Sequence, residues 1–292
     1  MIPSRAMSTN ILCIAGPTAS GKSSRAVEEA FLRGGEIISV DSRQVYRGLD
    51  IGTEKITREE MCGVPHHLID IRDANENYSA GDFVQDASRL IAEISARGKL
   101  PILVGGTHFY FDALLHGLPM GTDANPELRE ELEKLTTEEL YARVRAADAR
   151  RAEELDSKNR RRLIRALEII ASLGSVPIRI GARATLAPEY AVEWIVIDPP
   201  REELRARIDA RLAGALERGL VDEVRRVREE VGDARLKELG LEYKIVDEFL
   251  QKCPTPSVRQ VEETLLPVLS ASVSQYARRQ KAWLRKLGHP MS

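Results

Sequence analysis

The sequence predicts an α/β fold in which a parallel β-sheet is flanked by helices and an all-helical domain is inserted. In the first half of the chain, short apolar runs alternate with longer helical stretches, a pattern typical of a parallel sheet covered on both faces. A glycine-rich turn follows the first apolar run. A long stretch with helical spacing separates the fourth apolar run from the fifth, and this indicates an insertion.

Five compact apolar runs are the predicted strands, and they cover residues 11–15, 36–40, 68–71, 100–104 and 194–197. Two helices are predicted between them. The first covers residues 22–33 and is closed by Gly34 and Gly35, and the second covers 80–97 and is closed by Gly98. After Pro200 the chain is predicted to be helical to its end, with breaks near Gly240 and at residues 253–256.

The stretch between the fourth and fifth runs is rich in Glu, Arg, Ala and Leu at helical spacing. We therefore predict two domains. Residues 9–120 together with 190–292 form the α/β core, and residues 121–189 form the inserted helical domain.

Composition narrows the function classes. The 292 residues are 30% charged and 43% hydrophobic, as in ordinary globular proteins, and no long apolar run marks a signal sequence or a membrane span. We therefore expect a cytoplasmic protein without a membrane partner. A net charge of -2 argues against non-specific coating of nucleic acid, so that any polyanion must meet local cationic patches.

Neither the cysteines nor the paired histidines show metal-site spacing. Cys13, Cys62 and Cys253 are odd in number and widely separated, so we interpret them as buried thiols. His66 and His67 are adjacent, which points them to opposite sides of an extended chain, and no third ligand is spaced nearby. A structural role is therefore predicted for both histidines.

The glycine-rich turn is the strongest motif. It fits G-x-x-x-x-G-K-S/T in full, between a predicted strand and a predicted helix, and predicts a P-loop NTPase-like sheet. Glycines let backbone N–H groups turn towards an anion, and the start of the following helix adds to the attraction. Lys22 supplies a cation for the terminal phosphate, and the Ser23 hydroxyl can ligate Mg²⁺. The residues predicted to bind a di- or triphosphate are Gly16, Pro17, Thr18, Ala19, Ser20, Gly21, Lys22 and Ser23.

The motif does not identify the phosphate compound or the bond that breaks. ATP-hydrolysing enzymes of this class usually have an apolar strand that ends in an Asp for Mg²⁺. Here the candidate strand at 101–104 runs into Gly105, Gly106 and Thr107 instead. Asp70, after the apolar pair 68–69, is an alternative for that role.

Asp41 follows the second predicted strand. Ligands of open α/β sheets lie at the carboxyl ends of the strands, so this carboxylate should face the phosphate loop. The alternative is that Asp41 caps a following helix, a use to which Asp is well suited. The residue alone does not separate these two interpretations.

At this point the chain resembles the tRNA dimethylallyltransferases, also called tRNA isopentenyltransferases. The matching segments follow the order of that family and span nearly the whole chain; they are 16–23, 38–42, 45–53, 64–71, 78–80, 101–107 with Tyr110 and Phe111, 162–168, 275–280 and 283–285. This series is far more specific than the phosphate loop alone.

The resemblance implies that the phosphate loop, with Lys22, Ser23 and Mg²⁺, holds the pyrophosphate of dimethylallyl pyrophosphate. Asp41 would accept a proton from the N6 amine of adenosine 37, beside the anticodon in the anticodon stem-loop of tRNA. Thr107 would position the amine or the departing pyrophosphate. The target base would be extruded from the loop to reach this site. The catalytic residues are thus expected to be Asp41, Lys22, Ser23 and Thr107, in a protein that acts as a monomer.

A cationic helix face is predicted in the inserted domain. Lys158, Arg160, Arg161, Arg162 and Arg165 include no acid among them, and apolar residues lie on the opposite face. The resemblance implies that this stretch meets the tRNA backbone. The full set of expected tRNA-binding residues is Asp41, Ser42, Arg43, Gln44, Thr107, Arg129, Arg161, Arg162, Leu163, Ile164, Arg165, Arg278 and Arg279. Residues 236–244 depart from the commoner family pattern, which leaves individual contacts there open.

Three alternatives remain at the level of sequence. A small-molecule kinase with a P-loop would turn over ATP and would have a compact lid in place of the cationic insertion. A nucleotide-gated binding protein would not need Asp41. An isopentenyltransferase that acts on free adenine nucleotides would not need Arg161, Arg162 and Arg165.

Overall fold

The computed structural model describes residues 9–117, 125–176 and 190–285. The chain divides into two compact units, Met1–Leu115 with Pro188–Ser292, and His116–Ala187. Each unit has its own hydrophobic core among the described residues. The first unit contains the sheet, and the second is helical.

Five strands of the described chain form one parallel sheet in the order β3-β2-β4-β1-β5. The predicted class of a parallel sheet flanked by helices is therefore confirmed. The strands are β1 (Thr9–Ala15), β2 (Gly35–Val40), β3 (His66–His67), β4 (Leu100–Gly105) and β5 (Tyr190–Val196).

Both faces of the sheet are buried, as the continuous apolar runs indicated. Along β1, Leu12 and Ile14 belong to one core cluster, whereas Ile11 and Cys13 belong to the cluster on the other face. Successive side chains of a strand point to opposite faces, so a strand covered on both sides needs apolar residues throughout. This burial holds the carboxyl ends of the strands rigidly at one edge of the sheet.

Helices of the first unit cover the two faces of the sheet. They are α1 (Lys22–Arg33), α2 (Ala80–Ala96), α3 (His108–His116), α8 (Arg201–Glu217), α9 (Leu220–Leu236), α10 (Leu241–Lys252), the short α11 (Val258–Gln260), a π-helical turn (Val261–Leu265) and α12 (Leu266–Leu284). In the part of the chain that is described, none of the helices is both long and apolar enough to cross a membrane.

Local sequence signals account for the ends of the first two helices. Helix α1 has the predicted bounds and stops at Gly34, which adopts a left-handed conformation with φ 65° that favours glycine. Helix α2 starts after Ser79, whose hydroxyl accepts from the Asp82 N–H while the Asp82 carboxylate accepts from the Ser79 N–H. Its predicted end, one residue beyond Ala96, is within the usual fraying of a helix terminus.

Two local predictions were wrong. The third strand lies at His66–His67 and not at 68–71, because Leu68 and Asp70 have φ values of 62° and 55°, which no strand allows. The histidines are structural, as predicted: His66 Nδ1 bonds to the Val64 carbonyl and His67 Nε2 to the Glu36 carboxylate, each at 2.8 Å. Of the three cysteines predicted to be buried, only Cys13 is; Cys62 is exposed and Cys253 is half-buried.

The second unit consists of four helices within its described range: α4 (Pro126–Glu133), α5 (Thr137–Ala147), α6 (Ala149–Glu154) and α7 (Arg160–Leu173). Each begins after a polar residue whose side chain accepts a backbone N–H of the first turn; these residues are Asn125, Thr136, Asp148 and Asn159. Helix α7 packs chiefly on α5 and contributes much of the core of this unit.

Candidate functional site

Three strand ends form the candidate site of the first unit. In the register of the sheet, Gly105 at the end of β4 pairs with Ala15 of β1 on one side and with Val40 of β2 on the other. The phosphate loop leaves Ala15 and Asp41 follows Val40. Adjacent strands are about 4.8 Å apart, which puts these two chain segments roughly 10 Å from each other with the Gly-Gly turn between them.

The phosphate loop presents the open end of a helix. Gly21, which precedes α1, has φ 88° and provides no side chain to bond the first N–H groups of that helix. Ala19 is also left-handed, with φ 60°. Those N–H groups and the helix dipole are therefore directed at whatever anion occupies the loop.

The first glycine of the loop is required by close packing. A Cβ on Gly16 would lie 2.5 Å from Ser20 Oγ and 2.8 Å from the Ile197 carbonyl oxygen, well inside contact distance. Such a tight turn explains why the motif needs a glycine here.

Lys22 reaches back over the loop. Its Nζ donates to the Pro17 carbonyl at 3.3 Å. Burial lowers the pKa of Lys22 from its ordinary value near 10.5 to about 8; the Asp41 carboxylate opposes this shift and the Arg211 guanidinium adds to it. The amine therefore lies within electrostatic reach of Asp41, as expected for two groups of one site. The next residue, Ser23, is exposed at the first turn of α1.

Asp41 closes the turn that follows β2. Its Oδ1 accepts the N–H of Arg43 at 2.8 Å and that of Gln44 at 3.2 Å. No helix follows, since residues 42–48 form turns, so the alternative of a helix cap was wrong. The carboxylate is oriented by its own loop and lies within electrostatic reach of Lys22.

Thr107 joins the Gly-Gly turn to the Asp41 turn. Its Oγ1 accepts the Ser42 N–H at 3.1 Å, and its own N–H donates to the Val40 carbonyl at 3.2 Å. Gln44 is committed elsewhere, because its Nε2 donates to the carbonyls of Thr53 and Glu54. The side chain of Gln44 thus holds the loop, while Ser42 and Arg43 are half-buried at the crevice.

Helix α8 brings two cations that sequence reasoning missed. Arg211 Nη1 donates to Thr18 Oγ1 at 2.5 Å, and Arg207 Nη1 donates to the Ser20 carbonyl at 3.1 Å. Both therefore hold the phosphate loop from outside it. They lie four residues apart on one helix face, but the same helix carries other arginines, so no local pattern distinguishes them.

Helix α10 supplies a carboxylate beside these cations. Glu242 Oε1 lies 3.5 Å from Arg211 Nη2. Burial raises the pKa of Glu242, and Arg211 opposes that shift. Glu242 belongs to segment 236–244, which departs from the commoner family pattern. In this structure it pairs with Arg211, which also contacts the phosphate loop.

Helix α12 covers the other side of the crevice. Gln280 is buried and bonds both to Thr18 N–H and to the Gly106 carbonyl. Trp283 stacks on His108 with ring centroids 4.5 Å apart, and burial, followed by the charge of Lys22, lowers the pKa of His108 to about 4. The imidazole is therefore neutral near pH 7.

Two expected tRNA-binding cations, Arg278 and Arg279, are exposed on α12. Arg279 lies over the Tyr276 ring, 5.9 Å from its centroid. Burial, followed by the charges of Asp41 and Glu242, raises the pKa of Tyr276 to about 12, so this face of the helix is near the Asp41 turn.

The second unit holds the remaining expected tRNA-binding residues, some of which are exposed and some buried. Arg161, Arg162 and Arg165 are exposed on α7. Leu163 and Ile164 are 0% and 4% exposed, so their side chains are not available for a contact with tRNA in this structure. They pack in the core of this unit because they lie on the opposite face of the helix from the arginines.

The cationic face of α7 is partly compensated by an acid. Glu168, which is buried, pairs with Arg165 at 3.0 Å and with Arg129 at 3.5 Å. Arg129 also pairs with Glu133 at 3.1 Å. Two expected tRNA-binding residues therefore also serve the structure of the second unit.

The oxygen donors near the phosphate loop fit a metal ion that is held mainly by the phosphates of a bound substrate. In the described parts of the chain, no three His, Cys, Asp or Glu residues cluster as a metal cage. Mg²⁺ commonly keeps several waters and binds through few protein oxygens together with substrate phosphates. The exposed hydroxyl of Ser23, at the start of α1, is compatible with that kind of site.

Comparisons with known proteins agree over nearly the whole chain. The model of the IPP transferase family matches residues 44–287. The tRNA dimethylallyltransferase of Thermomicrobium roseum is 41% identical over 95% of this chain and 84% of its own length, and that of Anaeromyxobacter sp. strain Fw109-5 is 42% identical over 94% and 91%.

Solved structures agree with this. The full-length tRNA isopentenylpyrophosphate transferase from Bacillus halodurans matches with a TM-score of 0.68 and 37% identity, over 95% of this chain and 87% of that one. A eukaryotic dimethylallyltransferase acting on tRNA matches with a TM-score of 0.81 and 28% identity, over 95% and 70%. The phosphate loop, the Asp41 turn and the Gly-Gly turn lie at one edge of the sheet, within the part of the chain that these relatives match. The family model and the relatives together show that the chain belongs to the IPP transferase family.

Proposed function

We propose that the protein transfers a dimethylallyl group from dimethylallyl pyrophosphate to the N6 amine of adenosine 37 in the anticodon stem-loop of tRNA. The convergence of an anion-binding loop and an oriented carboxylate on one sheet edge carries this proposal. Family membership and the named activities of the relatives support the choice of substrates. The protein would act as a monomer.

The phosphate loop would bind the diphosphate of the donor. The first N–H groups of α1, Lys22 and Arg211, which contacts Thr18 of the loop, would supply positive charge to that group. As the allylic C–O bond breaks, both of its electrons go to the pyrophosphate oxygen, and these groups stabilise the charge that develops there. Mg²⁺ bound through Ser23 would neutralise part of the same charge.

Asp41 would act on the acceptor. The amine nitrogen forms a bond to the allylic carbon and loses one proton, which the carboxylate accepts. Because Oδ1 is held by two backbone N–H groups, we assign the proton to Oδ2. Thr107, whose hydroxyl is bonded to the Asp41 turn, would keep the amine and the carboxylate in register.

Transfer of label decides between this activity and the alternatives. The protein is incubated with Mg²⁺, labelled dimethylallyl pyrophosphate and either unmodified tRNA or AMP. Label should appear in tRNA and not in AMP, and no ATP should be consumed. Label in AMP alone would contradict the tRNA specificity, and ATP turnover without transfer would indicate a kinase.

In the same assay, Asp41→Asn tests the assignment of the base. The amide keeps the size of the side chain but cannot accept the proton, so transfer should fall by about 10²-fold or more while pyrophosphate binding is largely kept. Turnover close to that of the wild type would contradict the role of Asp41.

A further inference from the structure

Gln280 holds two separate parts of the candidate site through one buried amide. Its Oε1 accepts the Thr18 N–H at 2.9 Å, and its Nε2 donates to the Gly106 carbonyl at 3.0 Å. The side chain is 5% exposed and lies on the inner face of α12. Because one partner is a donor and the other an acceptor, the amide in this orientation satisfies both, whereas an ionised carboxylate or an apolar side chain does not.

The packing around this amide is close. A Cβ on Gly106 would lie 2.7 Å from Gln280 Nε2, so that only glycine allows the amide to reach the backbone there. On the other side, Thr18 is held a second time, because its hydroxyl accepts from Arg211. Thr18 is therefore held by two helices, by α12 through Gln280 and by α8 through Arg211.

Beyond Gly106, hydrogen bonds continue to the catalytic carboxylate. Gly106 is followed by Thr107, which accepts the Ser42 N–H and donates to the Val40 carbonyl. Ser42 belongs to the turn that the Asp41 carboxylate closes. A continuous series of short contacts thus runs from the phosphate loop through Gln280 to the Asp41 turn.

We infer that Gln280 is a positioning residue that couples the diphosphate-binding loop to the turn carrying Asp41. The inference rests on the proposed function, in which these two segments hold the donor and the acceptor. When the diphosphate fixes the loop, the amide transmits that geometry to the Gly-Gly turn and so to the carboxylate. Coupling of this kind is reciprocal, so tRNA bound at the Asp41 turn should also favour the diphosphate.

The test compares Gln280→Met with the wild type. Methionine has similar length and no amide, so both hydrogen bonds are lost with little change in volume. We expect kcat to fall about 10- to 100-fold and KM for the donor to rise, since small misplacements cost that much in rate. KM for tRNA measured at saturating donor should also rise, because bound donor no longer favours tRNA, whereas the affinity for tRNA without donor should stay close to that of the wild type.

A matched control separates positioning from folding. Gln85→Met makes the same chemical change at an exposed position of α2 that has no part in the site, and it should leave kcat unchanged. If Gln280 served stability alone, Gln280→Met would lower the melting temperature while kcat per folded molecule and KM stayed at the values of the wild type. That result would overturn the inference.

A second variant, Gln280→Glu, tests the amide proton. The ionised carboxylate can still accept from Thr18 but would face the Gly106 carbonyl without a proton to donate, whereas the protonated acid restores the donor. Its activity relative to the wild type should therefore rise as pH is lowered from 8 to 6. A ratio that does not change with pH would contradict a role for the Gly106 bond, even if the methionine variant fails to fold.

The binding arm distinguishes failure of this inference from failure of the proposed function. Affinity for pyrophosphate is measured by calorimetry with and without saturating unmodified tRNA. In the wild type, tRNA should tighten pyrophosphate binding, and in Gln280→Met this effect should be lost. An equal effect in both proteins would overturn the inference, whereas a wild-type enzyme that does not prenylate tRNA would overturn the proposed function.

Discussion

Lys22 is poised to change its charge near neutral pH. Because burial lowers its pKa to about 8 in the ligand-free protein, a bound diphosphate should raise the pKa again by favouring the charged form. Binding between pH 8 and 9 should then take up protons. Lys22 would be fully protonated at these pH values only when the diphosphate is bound.

We expect this uptake to be visible by calorimetry. Pyrophosphate is titrated into the wild type and into Lys22→Met at pH 8.5, in buffers of different ionisation enthalpy. The ligand's own protons contribute to both titrations, so the difference isolates Lys22 and should be about three quarters of a proton, the fraction of Lys22 that is neutral at pH 8.5 when its pKa is about 8. Equal proton counts would contradict the assigned contact, and Lys22→Arg, which stays charged, serves as the control.

The lowered pKa of Lys22 also makes the free energy of unfolding depend on pH. The folded pKa of Lys22 lies below its ordinary value near 10.5, so the unfolded chain binds more protons between pH 8 and 10.5. The charged amine therefore destabilises the fold below pH 8, and this effect is lost as pH rises through 10.5. The proposed function accounts for this destabilisation, because binding of the diphosphate needs a cation at this position.

At the scale of the element, α7 separates packing from recognition. Leu163 and Ile164 pack inwards while Arg161, Arg162 and Arg165 are exposed, so a single helix supplies both the core and a cationic face. Arg165 pairs with the buried Glu168 at 3.0 Å. Reversing its charge would place two carboxylates together and destabilise the second unit.

A sharper test of the cationic face therefore reverses only Arg161 and Arg162. The double variant, with both residues changed to Glu, should raise KM for tRNA and lower the slope of log affinity against log salt by about two, since each lost phosphate contact reduces it by about one. Binding of pyrophosphate should be unaffected.

The control reverses two exposed cations of the first unit, Lys252 and Arg259, and should leave the slope unchanged. If the Arg161 and Arg162 variant kept the slope of the wild type, this face of α7 would not meet the tRNA backbone.

Helix boundaries were largely predictable at this scale. Glycine at the end of α1 acts within a few residues, so the sequence alone was enough to place that end. The polar residues before α4 to α7 are local signals of the same kind, although no bounds were predicted for these four helices. The failure at 68–71 has a local cause as well. Apolar content indicated a strand there, but the left-handed backbone of Leu68 and Asp70 was not encoded by a glycine.

At the scale of the whole molecule, Glu223 ties distant segments of the first unit together. This buried carboxylate accepts the N–H groups of residues 50–52 at 2.9 to 3.1 Å and the Tyr243 hydroxyl at 2.6 Å. It thereby joins the loop after β2 to helices α9 and α10. Buried donors left without an acceptor are costly.

Glu223→Gln should lower the free energy of unfolding by about 3 kcal/mol, because the amide loses the negative charge and turns an N–H₂ group towards backbone donors. Chemical denaturation measures the change, with the exposed Glu217→Gln as the control. A loss below about 0.5 kcal/mol, as for an ordinary surface substitution, would contradict this role.

The sequence by itself determined the strands β1, β2, β4 and β5, the phosphate loop before α1 and the likeness to a family, because each depends on local periodicity, glycine conformation or an ordered series of short motifs. Only the tertiary structure decided that β4 lies between β1 and β2, which brings the Gly-Gly turn between the phosphate loop and Asp41. It also decided that Arg207, Arg211 and Gln280 contact that loop. The three contacts join residues more than 180 positions apart, and the strand order pairs β4 with residues 65 and 90 positions away. Both depend on how the strands and helices pack together, which no local pattern encodes.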